Sequence, residues 1–473
     1  MHSLSLNWDP KQSFIFHHFP CFSLLNSEFQ SIGEIAMAVD IDVVSKETVK
    51  PSSPTPDHHR RYGLSFLDQV TVDVYNPMIY FYSAGSATAA EISDHLKESL
   101  STVLSHYYPL AGRVNYDELF IDCNDAGVPF IETRVNCRLS DVMNTAFPTE
   151  LNKLLPFELD ALDDVSMGVQ LNVFECGGVA VGICISHKIS DALSFFIVVN
   201  GWAAVCRGEK EALETHLSAS ELFPPNKTPI YNTRTSIFRQ RVAKRYQIDA
   251  ASIETIRAQY AEYFAMENQR RPSRVEALSA FLYGRFIAAI KGASNSNPAN
   301  GSSESEKKIF LVCHAVNIRS RLDPPVPDYA FGNYYRATFA VPSETILNDD
   351  YCYDLVKLAR DEIAKIDKSY LERLQESSKF LEAMKKAASQ FSTGELISCS
   401  FTSLCRMPIY DADFGWGKPA WISSPALIFK NLFVLMDKKD GDGVDVYVHL
   451  KPENMEILES DEKFLKYAKL PSN

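Results

Sequence analysis

The 473-residue sequence has ten cysteines, but no two of them stand in C-x-x-C spacing. They are scattered singly, several within apolar runs, and no cysteines and histidines are grouped at the spacing of a zinc site. Single cysteines in apolar runs are typical of reduced core residues. We therefore expect no disulfide framework and no bound metal.

A hydrophobic run long enough to cross a bilayer, about 18–20 residues, is also missing. The longest candidate, residues 193–206, is shorter and contains Asn200, so we predict a buried helix. Lys11 is the only lysine or arginine in residues 1–36, which lack the basic region of a secretory signal. We expect a cytoplasmic protein whose residues 1–40 form a disordered extension, or one in which an upstream in-frame start precedes the ordinary start at Met37. A plastid address is the alternative.

Positive charge is scarce. The chain has 47 Lys and Arg against 60 Asp and Glu, a formal net charge of −13. Such a surface repels phosphate backbones, so we exclude nucleic acid as a partner, although a local basic patch can still bind a phosphorylated cofactor. No internal repeat is visible, and the length exceeds one ordinary domain of about 100–200 residues, so we expect two or three packing units.

Periodicity predicts a mixture of helices and strands. Residues 90–107 have apolar residues at helical spacing and predict an amphipathic helix, as do residues 275–291. Residues 168–186 predict a β-hairpin that turns at 176–178. Apolar and polar residues alternate in the first strand, which predicts that it is half-buried. The second strand is almost wholly apolar, which predicts a central position in the sheet. A helix is expected to begin near Ala192.

His187 stands between the predicted central strand and that helix, four positions before Asp191. Histidine is the natural general base near neutral pH, because its ordinary pKa is about 6.5. Catalytic groups often follow a core strand, where a rigid scaffold holds them. Taken alone, the H-x-x-x-D pair is also compatible with a structural histidine.

A second motif, Asp413-Phe414-Gly415-Trp416-Gly417, precedes the last strands. Its two glycines allow a tight backbone path with positive φ, and its aromatic side chains predict a loop locked into a core. We interpret the motif as a packing turn. We expect Asp413 to pair with a buried arginine rather than to take part in chemistry.

HKISD at 187–191, followed by the DFGWG motif, resembles the BAHD family of plant acyl-CoA-dependent acyltransferases, and most of all its alkaloid-modifying branch. The resemblance covers residues 45–460. Other segments agree in order and spacing: LSFLD at 64–68, YPLAGR at 108–113, IDCNDAGVPF at 121–130, FECGG at 174–178, SRVEALSAF at 273–281, NIRSRLDPPVP at 317–327 and FGN at 331–333.

The resemblance implies two α/β domains built like chloramphenicol acetyltransferase, with mixed sheets flanked by helices and a solvent channel between them. On this sequence the N-terminal domain would span 41–215, joined by about 413–441. Residues 216–242 would form a crossover loop. The C-terminal domain would comprise 243–412 with 442–473. We expect a monomer.

The resemblance also implies the chemistry. His187 would take the proton from an acceptor hydroxyl as its oxygen attacks the thioester of an acyl-CoA, by preference acetyl-CoA. The acyl-CoA would be a co-substrate, with no cofactor held permanently. Thr402 and Ser403 are candidate donors to the oxyanion, and Ser273 and Arg274 are candidate contacts of CoA.

The family pattern makes Asp191 an orienting residue that points away from substrate and pairs with an arginine. Arg319 or Arg321 could be the partner of Asp191 or of Asp413. Many members have Trp where this chain has Leu404, and that Trp usually lines the acceptor pocket. Leu404 therefore puts acceptor size or orientation in doubt, but not the acyl chemistry.

Three alternatives stay open: an amine acceptor, a benzoyl or hydroxycinnamoyl donor, and a catalytically silent small-molecule-binding protein on the same scaffold. Condensation domains of peptide synthetases share the fold, but they use two consecutive histidines. Ser186 precedes His187 here, which argues against that class.

Overall fold

The computed structural model describes residues 38–471, apart from 144, 162, 210–212, 227–236, 239, 267–269, 297–307, 349–351, 379 and 383–394. Most of the predicted extension, residues 1–40, therefore lies outside the described residues. The predicted crossover, residues 216–242, is described in part.

Two six-stranded mixed sheets form the frame of the described chain. The first has the order β1-β6-β7-β8-β3-β13 and the second the order β11-β10-β12-β14-β15-β9, while β2-β5-β4 form a small third sheet. The strands are β1 (Ile41–Val49), β2 (Arg61–Gly63), β3 (Tyr75–Tyr82), β4 (Arg113–Asn115), β5 (Phe120–Asp122), β6 (Val128–Val135), β7 (Met167–Phe174), β8 (Val179–Ser186), β9 (Val242–Ile248), β10 (Lys308–Asn317), β11 (Tyr335–Ala340), β12 (Glu395–Ser403), β13 (Trp421–Ser423), β14 (Leu432–Asp437) and β15 (Val444–Leu450).

Helices flank both sheets, and the prediction of two α/β halves with mixed sheets is confirmed. The described α-helices are α1 (Phe66–Val70), α2 (Ala89–His106), α3 (Leu139–Met143), α4 (Ala192–Cys206), α5 (Ala219–Leu222), α6 (Ala250–Met266), α7 (Arg274–Ser296), α8 (Glu344–Asn348), α9 (Tyr353–Ala364), α10 (Lys368–Gln375), α11 (Pro452–Glu459) and α12 (Glu462–Tyr467). Short 3-10 helices occur at Asp57–His59, Tyr108–Ala111, Glu150–Leu154, Arg319–Arg321 and Ile409–Asp411.

Helices α2 and α4 cover one face of the first sheet. Helix α2 begins with a capping box, in which Thr88 and Glu91 satisfy each other's backbone N–H groups. Its predicted apolar face is buried. Trp202 of α4 is fully buried and donates from Nε1 to Ser99 of α2 at 2.9 Å. The predicted buried helix is thus confirmed, and no described helix is both long and apolar enough to cross a membrane.

The predicted hairpin is also confirmed, as β7 and β8, but the prediction that its first strand is half-buried is wrong. Strand β7 lies between β6 and β8 in the middle of the sheet. Its polar residues Gln170 and Asn172 are buried and bond to each other and to backbone carbonyls. Alternating polarity here reflects an internal polar network rather than a solvent-facing side.

One large core cluster joins the two halves. It contains residues of the first sheet and of α2 and α4 together with Leu432, Val434 and Met436 of β14. The chain segment after the DFGWG motif also links the halves, because β13 pairs with β3 in the first sheet. The prediction that residues 413–441 as a whole join the first domain needs correction, since β14 pairs with β12 and β15 in the second sheet. The other domain limits stay a prediction.

Candidate active site

The H-x-x-x-D motif forms the turn between β8 and α4. All eight residues of β8 are buried, and Asp191 caps α4 by accepting the Ser194 N–H at 2.9 Å. The His187 N–H donates to the Val74 carbonyl at 2.8 Å. A buried strand on one side and a capped helix on the other therefore hold His187 in a defined place.

Hydrogen bonding determines the tautomer of the partly buried His187 ring. Its Nδ1 lies 3.1 Å from the Ser190 carbonyl oxygen. A carbonyl can only accept, so Nδ1 carries the proton and Nε2 keeps its lone pair. Asn76 donates to the same carbonyl at 2.9 Å and so helps to hold it in place. The imidazole is thus arranged to receive a proton at Nε2.

Burial lowers the pKa of His187 below its ordinary value, and the negative charge of Asp191 opposes this shift only in part. A lowered pKa keeps the imidazole neutral at neutral pH, the form that a general base requires. The ring also stacks on Tyr335 of β11, with centroids 5.5 Å apart and planes 20° apart. His187 therefore lies where the first half meets the second.

Asp191 points away from the imidazole and into a buried ion pair with Arg319. The two side chains form a bidentate pair, with N–O distances of 2.8 and 3.0 Å. The Tyr334 N–H donates to the same carboxylate at 3.0 Å. Arg319, which is 1% exposed, also donates to Ser194 and to the Ala330 carbonyl. Of the two candidate arginines, Arg319 is therefore the partner of Asp191.

Arg321 has a different role. Its guanidinium donates to the carbonyls of Ile363 and Ile366, at 3.2 and 3.1 Å. These carbonyls lie at the carboxyl end of α9, where a cation is favourable. Arg321 thus stabilises a helix end and contacts neither Asp191 nor Asp413 among the described residues.

The DFGWG loop is a packing turn, but the prediction that the Asp413 carboxylate pairs with an arginine is wrong. Asp413 Oδ1 accepts the N–H groups of Gly415 and Gly417, both at 2.9 Å. Both glycines have positive φ, +106° and +101°, which turns their N–H groups back toward the carboxylate. Arg207 donates to the backbone carbonyl of Asp413 and pairs with Glu209.

The aromatic residues of this loop pack into the core of the first half. Phe414 is 1% exposed, and its ring stacks on Trp416 and meets Trp202 edge-on at 4.9 Å. Tyr82 of β3 contacts both loop aromatics and donates to the Ala412 carbonyl at 2.7 Å. The loop therefore anchors this segment of the chain to the core of the first half.

One edge of the second sheet meets the His187 turn. Strands β10, β12 and β14 run parallel, so their carboxyl ends lie at the same edge. Tyr335, at the amino end of the antiparallel β11, pairs with Asn317 at this edge. Thr402 and Ser403 lie at the end of β12, two strand spacings or about 10 Å from β11.

The structure separates the two predicted oxyanion donors. Thr402 pairs in register with Val434, which packs in the cluster shared with the first half. Ser403 pairs with Leu435, which packs among the helices of the second half, and its Oγ accepts the Cys405 N–H at 3.3 Å. Thr402 therefore faces the first half, and Ser403 faces away from it. Leu404 packs in the shared cluster.

Ser273 and Arg274 begin helix α7. Ser273 and Glu276 form a capping box, with bonds of 3.2 and 2.6 Å. Arg274 pairs with Asp437 at 2.6 Å, at the end of β14. Arg270 and Arg360 both pair with Glu276 at 2.8 Å. Although burial opposes it, the bonds and charge of Arg360 hold the pKa of Glu276 down to about 2.

Sequence reasoning missed Tyr335 and Asn76 as neighbours of the His187 turn. Tyr335 follows the FGN segment that supported the family resemblance, so its position in the sequence was a usable signal. Asn76 lies within the apolar strand β3, and no local pattern marks it. Among the described residues, no three His, Cys, Asp or Glu side chains are grouped to hold a metal ion.

Comparison with known proteins identifies the family. The model of the Transferase family matches residues 39–465. Stemmadenine O-acetyltransferase of Catharanthus roseus is 35% identical, over 90% of this chain and 97% of that protein. Limonoid 21-O-acetyltransferase of Citrus sinensis is 33% identical, over 91% of this chain and 98% of that protein. The crystal structure of vinorine synthase matches with a TM-score of 0.76 and 33% identity, over 91% of this chain and 99% of that one.

These matches cover about nine tenths of this chain and nearly the full length of the relatives, and they confirm both the family resemblance and the two-domain fold. The chain therefore belongs to the Transferase family, the BAHD acyltransferases.

Proposed function

We propose that the protein is an acyl-CoA-dependent O-acyltransferase with His187 as its general base. The observation that carries this proposal is the hydrogen bond from Nδ1 to the Ser190 carbonyl, because it leaves the Nε2 lone pair for chemistry. The lowered pKa of the imidazole and its place between the two halves support the same role.

In the proposed reaction, Nε2 of His187 takes the proton from an acceptor hydroxyl while the hydroxyl oxygen attacks the thioester carbonyl. The new C–O bond forms, the tetrahedral intermediate collapses, and the C–S bond breaks. The CoA sulfur leaves with the electron pair and takes the proton back from the imidazolium. General-base catalysis of this kind contributes about 10²–10⁴-fold. Acyl transfer is direct, so no cysteine is acylated.

Thr402 is the proposed donor to the oxyanion. It lies at the edge of the second sheet that meets the catalytic turn, and its side chain faces the first half, as the register with Val434 indicates. A hydroxyl aimed at the developing negative charge stabilises the transition state more than the ground state. Ser403 faces the other way and is not assigned this role.

The first turn of α7 is the proposed site for the CoA phosphates. A chain with a net charge of −13 needs a local positive patch to bind them. Arg270, Arg274 and Arg360 gather there beside a helix amino terminus, which also favours anions. The salt-bridge partner of Arg274, at the end of β14, is three strand spacings, about 14 Å, from β11. The phosphates would thus bind away from the reacting thioester.

The proposed reaction is acetyl transfer to a hydroxyl of a specialised metabolite such as an alkaloid. Two of the relatives are named as O-acetyltransferases, one of stemmadenine and one of a limonoid, which supports an acetyl donor and an alcohol acceptor. Leu404 stands where many members have Trp, and we propose that the smaller side chain changes the size or orientation of the acceptor that is taken. We further propose a monomer that works in the cytoplasm.

The test is CoA release, monitored with a thiol reagent, across acetyl-, benzoyl- and hydroxycinnamoyl-CoA and a panel of plant alcohols and amines, with products identified by mass spectrometry. We expect turnover with acetyl-CoA and an alcohol. Preferred turnover of an amine or of an aromatic acyl-CoA would replace the O-acetyl proposal. Tight ligand binding without any turnover would favour the silent binding protein.

His187→Ala is the decisive variant, and His95→Ala, on the exposed side of α2, is the matched control. We expect loss of about 10²–10⁴-fold in kcat for His187→Ala and an unchanged rate for the control. Near-normal transfer by His187→Ala would refute the general-base role.

A further inference from the structure

A buried polar pair outside the H-x-x-x-D motif contacts the catalytic turn. Asp68, in the LSFLD segment, is 0% exposed, and Asn333, in the FGN segment, is 1% exposed. Asn333 Nδ2 donates to Asp68 Oδ1 at 2.8 Å and to the backbone carbonyl of His187 at 2.7 Å. A side chain from the second half therefore bridges a carboxylate and the base-bearing residue of the first half.

The orientation of this amide is determined by its partners. Both Asn333 N–H groups are used, one on a carboxylate and one on a carbonyl. A flipped amide would place its oxygen against two acceptors, which is unfavourable in a buried site. The carboxylate of Asp68 is held in turn by the N–H and the hydroxyl of Ser65, at 2.8 and 2.7 Å. Hydrogen bonds thus connect Ser65 to the His187 backbone through Asp68 and Asn333.

Lys188, the residue after His187, also anchors this turn. Its buried ammonium donates to the carbonyls of Asp68, Gln69 and Thr71, the last at 2.6 Å. These carbonyls belong to the carboxyl end of α1, where a cation is favourable. The helix that places the Asp68 carboxylate therefore also anchors the residue that follows the base.

Four consecutive residues of the second half contact this turn. The Gly332 carbonyl accepts the Asp191 N–H, Asn333 bonds His187, the Tyr334 N–H donates to Asp191, and Tyr335 stacks on the imidazole. Asn333 is the one whose side chain bonds the backbone of the base itself. Displacing it would free the peptide plane after His187 and shift the ring on Tyr335.

We propose that Asp68 and Asn333 are positioning residues for His187, through which the second half fixes the place and orientation of the general base. Neither touches the imidazole nitrogens, so the pair acts on the backbone that carries the ring. This inference rests on the proposed function of His187.

The positioning bond from Asn333 is strongest when Asp68 is ionised, because a carboxylate accepts more strongly than a neutral carboxyl group. A proton on Oδ2 would make the Ser65 hydroxyl turn to accept it, and the bond from Asn333 to Oδ1 would lose its charge and weaken. Burial raises the pKa of Asp68 to about 6, so mild acid reaches this state. The charged and titratable groups facing the carboxylate are Lys188 from the catalytic turn, Tyr62 from β2 and Tyr334 from the second half. The fall of kcat at acid pH should therefore reflect two protonations, those of Asp68 and of His187.

The test uses the variants Asp68→Asn and Asn333→Leu, which keep side-chain size, and labels His187 with diethyl pyrocarbonate. This reagent acylates neutral imidazole, and peptide mass spectrometry gives the labelling rate at each histidine without any acceptor. The result is thus independent of whether the proposed acyl transfer is correct. His95 is the exposed reference, and the buried His449 reports unfolding.

We expect His187 to be labelled several-fold faster in both variants, relative to His95, with His449 still protected. For CoA release from acetyl-CoA, kcat should fall about 10–100-fold with KM unchanged, and the acid limb of Asp68→Asn should report a single proton. Labelling and acid limb unchanged in both folded variants would overturn the proposal. If His449 becomes reactive in either, Ser65→Ala, which removes one donor and leaves the carboxylate, is judged by the same criterion.

Discussion

Removing the Arg319 guanidinium tests whether Asp191 is structural. In Arg319→Met, the Asp191 carboxylate would keep only the N–H groups of Ser194 and Tyr334, and the Ala330 carbonyl would lose the guanidinium donors and keep only the Ser194 hydroxyl at 3.4 Å. An uncompensated buried charge costs about 3–5 kcal/mol. We therefore expect the free energy of unfolding to fall by about that amount, measured by urea denaturation with an unchanged m-value.

The double variant Asp191→Asn/Arg319→Met is the matched control. Replacing both partners removes the unpaired charge, and Asn remains a good helix cap. The double variant should therefore lose less stability than the sum of the two single variants. At temperatures where the protein stays folded, kcat of Asp191→Asn should stay within about tenfold of the parent. A loss below about 1 kcal/mol for Arg319→Met, or abolished turnover in a folded, stable Asp191→Asn protein, would refute the structural role.

Three further predictions concern catalysis. In Asp68→Asn, where the acid limb reports His187 alone, the lowered pKa of His187 predicts that the midpoint of the rise of kcat/KM with pH lies below the ordinary imidazole value of about 6.5. Removing the Asp191 charge lowers that pKa further and should move the acid limb to lower pH, and a shift to higher pH would contradict this. Thr402→Val should lower kcat about 10²–10³-fold with KM for acetyl-CoA unchanged, whereas Ser403→Ala should leave kcat near normal, and equal losses would contradict the register argument. Leu404→Trp should narrow the range of accepted alcohols in a product screen without changing KM for acetyl-CoA, and a changed KM would place Leu404 on the donor side.

Local patterns predicted those elements whose structure is set by neighbouring residues. The apolar spacing of α2, the turn of the β7–β8 hairpin and the position of His187 before α4 all depend on nearby residues and were predicted. The positive φ of Gly415 and Gly417 was predicted for the same reason, because two glycines flank a bulky aromatic in a tight loop.

Long-range pairing was beyond local patterns. Asp191 and Arg319 are 128 positions apart, and nothing near either residue distinguishes Arg319 from Arg321. The Asp413 carboxylate shows the reverse error, because a distant arginine was expected where two N–H groups a few residues away satisfy it. The polar residues of β7 led to a third error, the prediction of a solvent-facing side. Asn172 is buried and bonds within the sheet, and the alternation of polar and apolar residues in β7 does not show that strands pair on both sides of it.

The turn that carries His187 is assembled by both halves, and this has an energetic consequence. The first half contributes His187, the helix cap and Asp68, while the second contributes Arg319, Asn333 and the Tyr335 ring. Most of these bonds involve charged groups, and each such bond contributes about 1.5–3 kcal/mol. They all lie at the seam, the surface where the two halves meet around the His187 turn. The position of the imidazole and the docking of the halves therefore depend on the same contacts. A substitution at this seam that never touches substrate should lower kcat and unfolding free energy together, whereas a substitution in the DFGWG loop should lower stability alone.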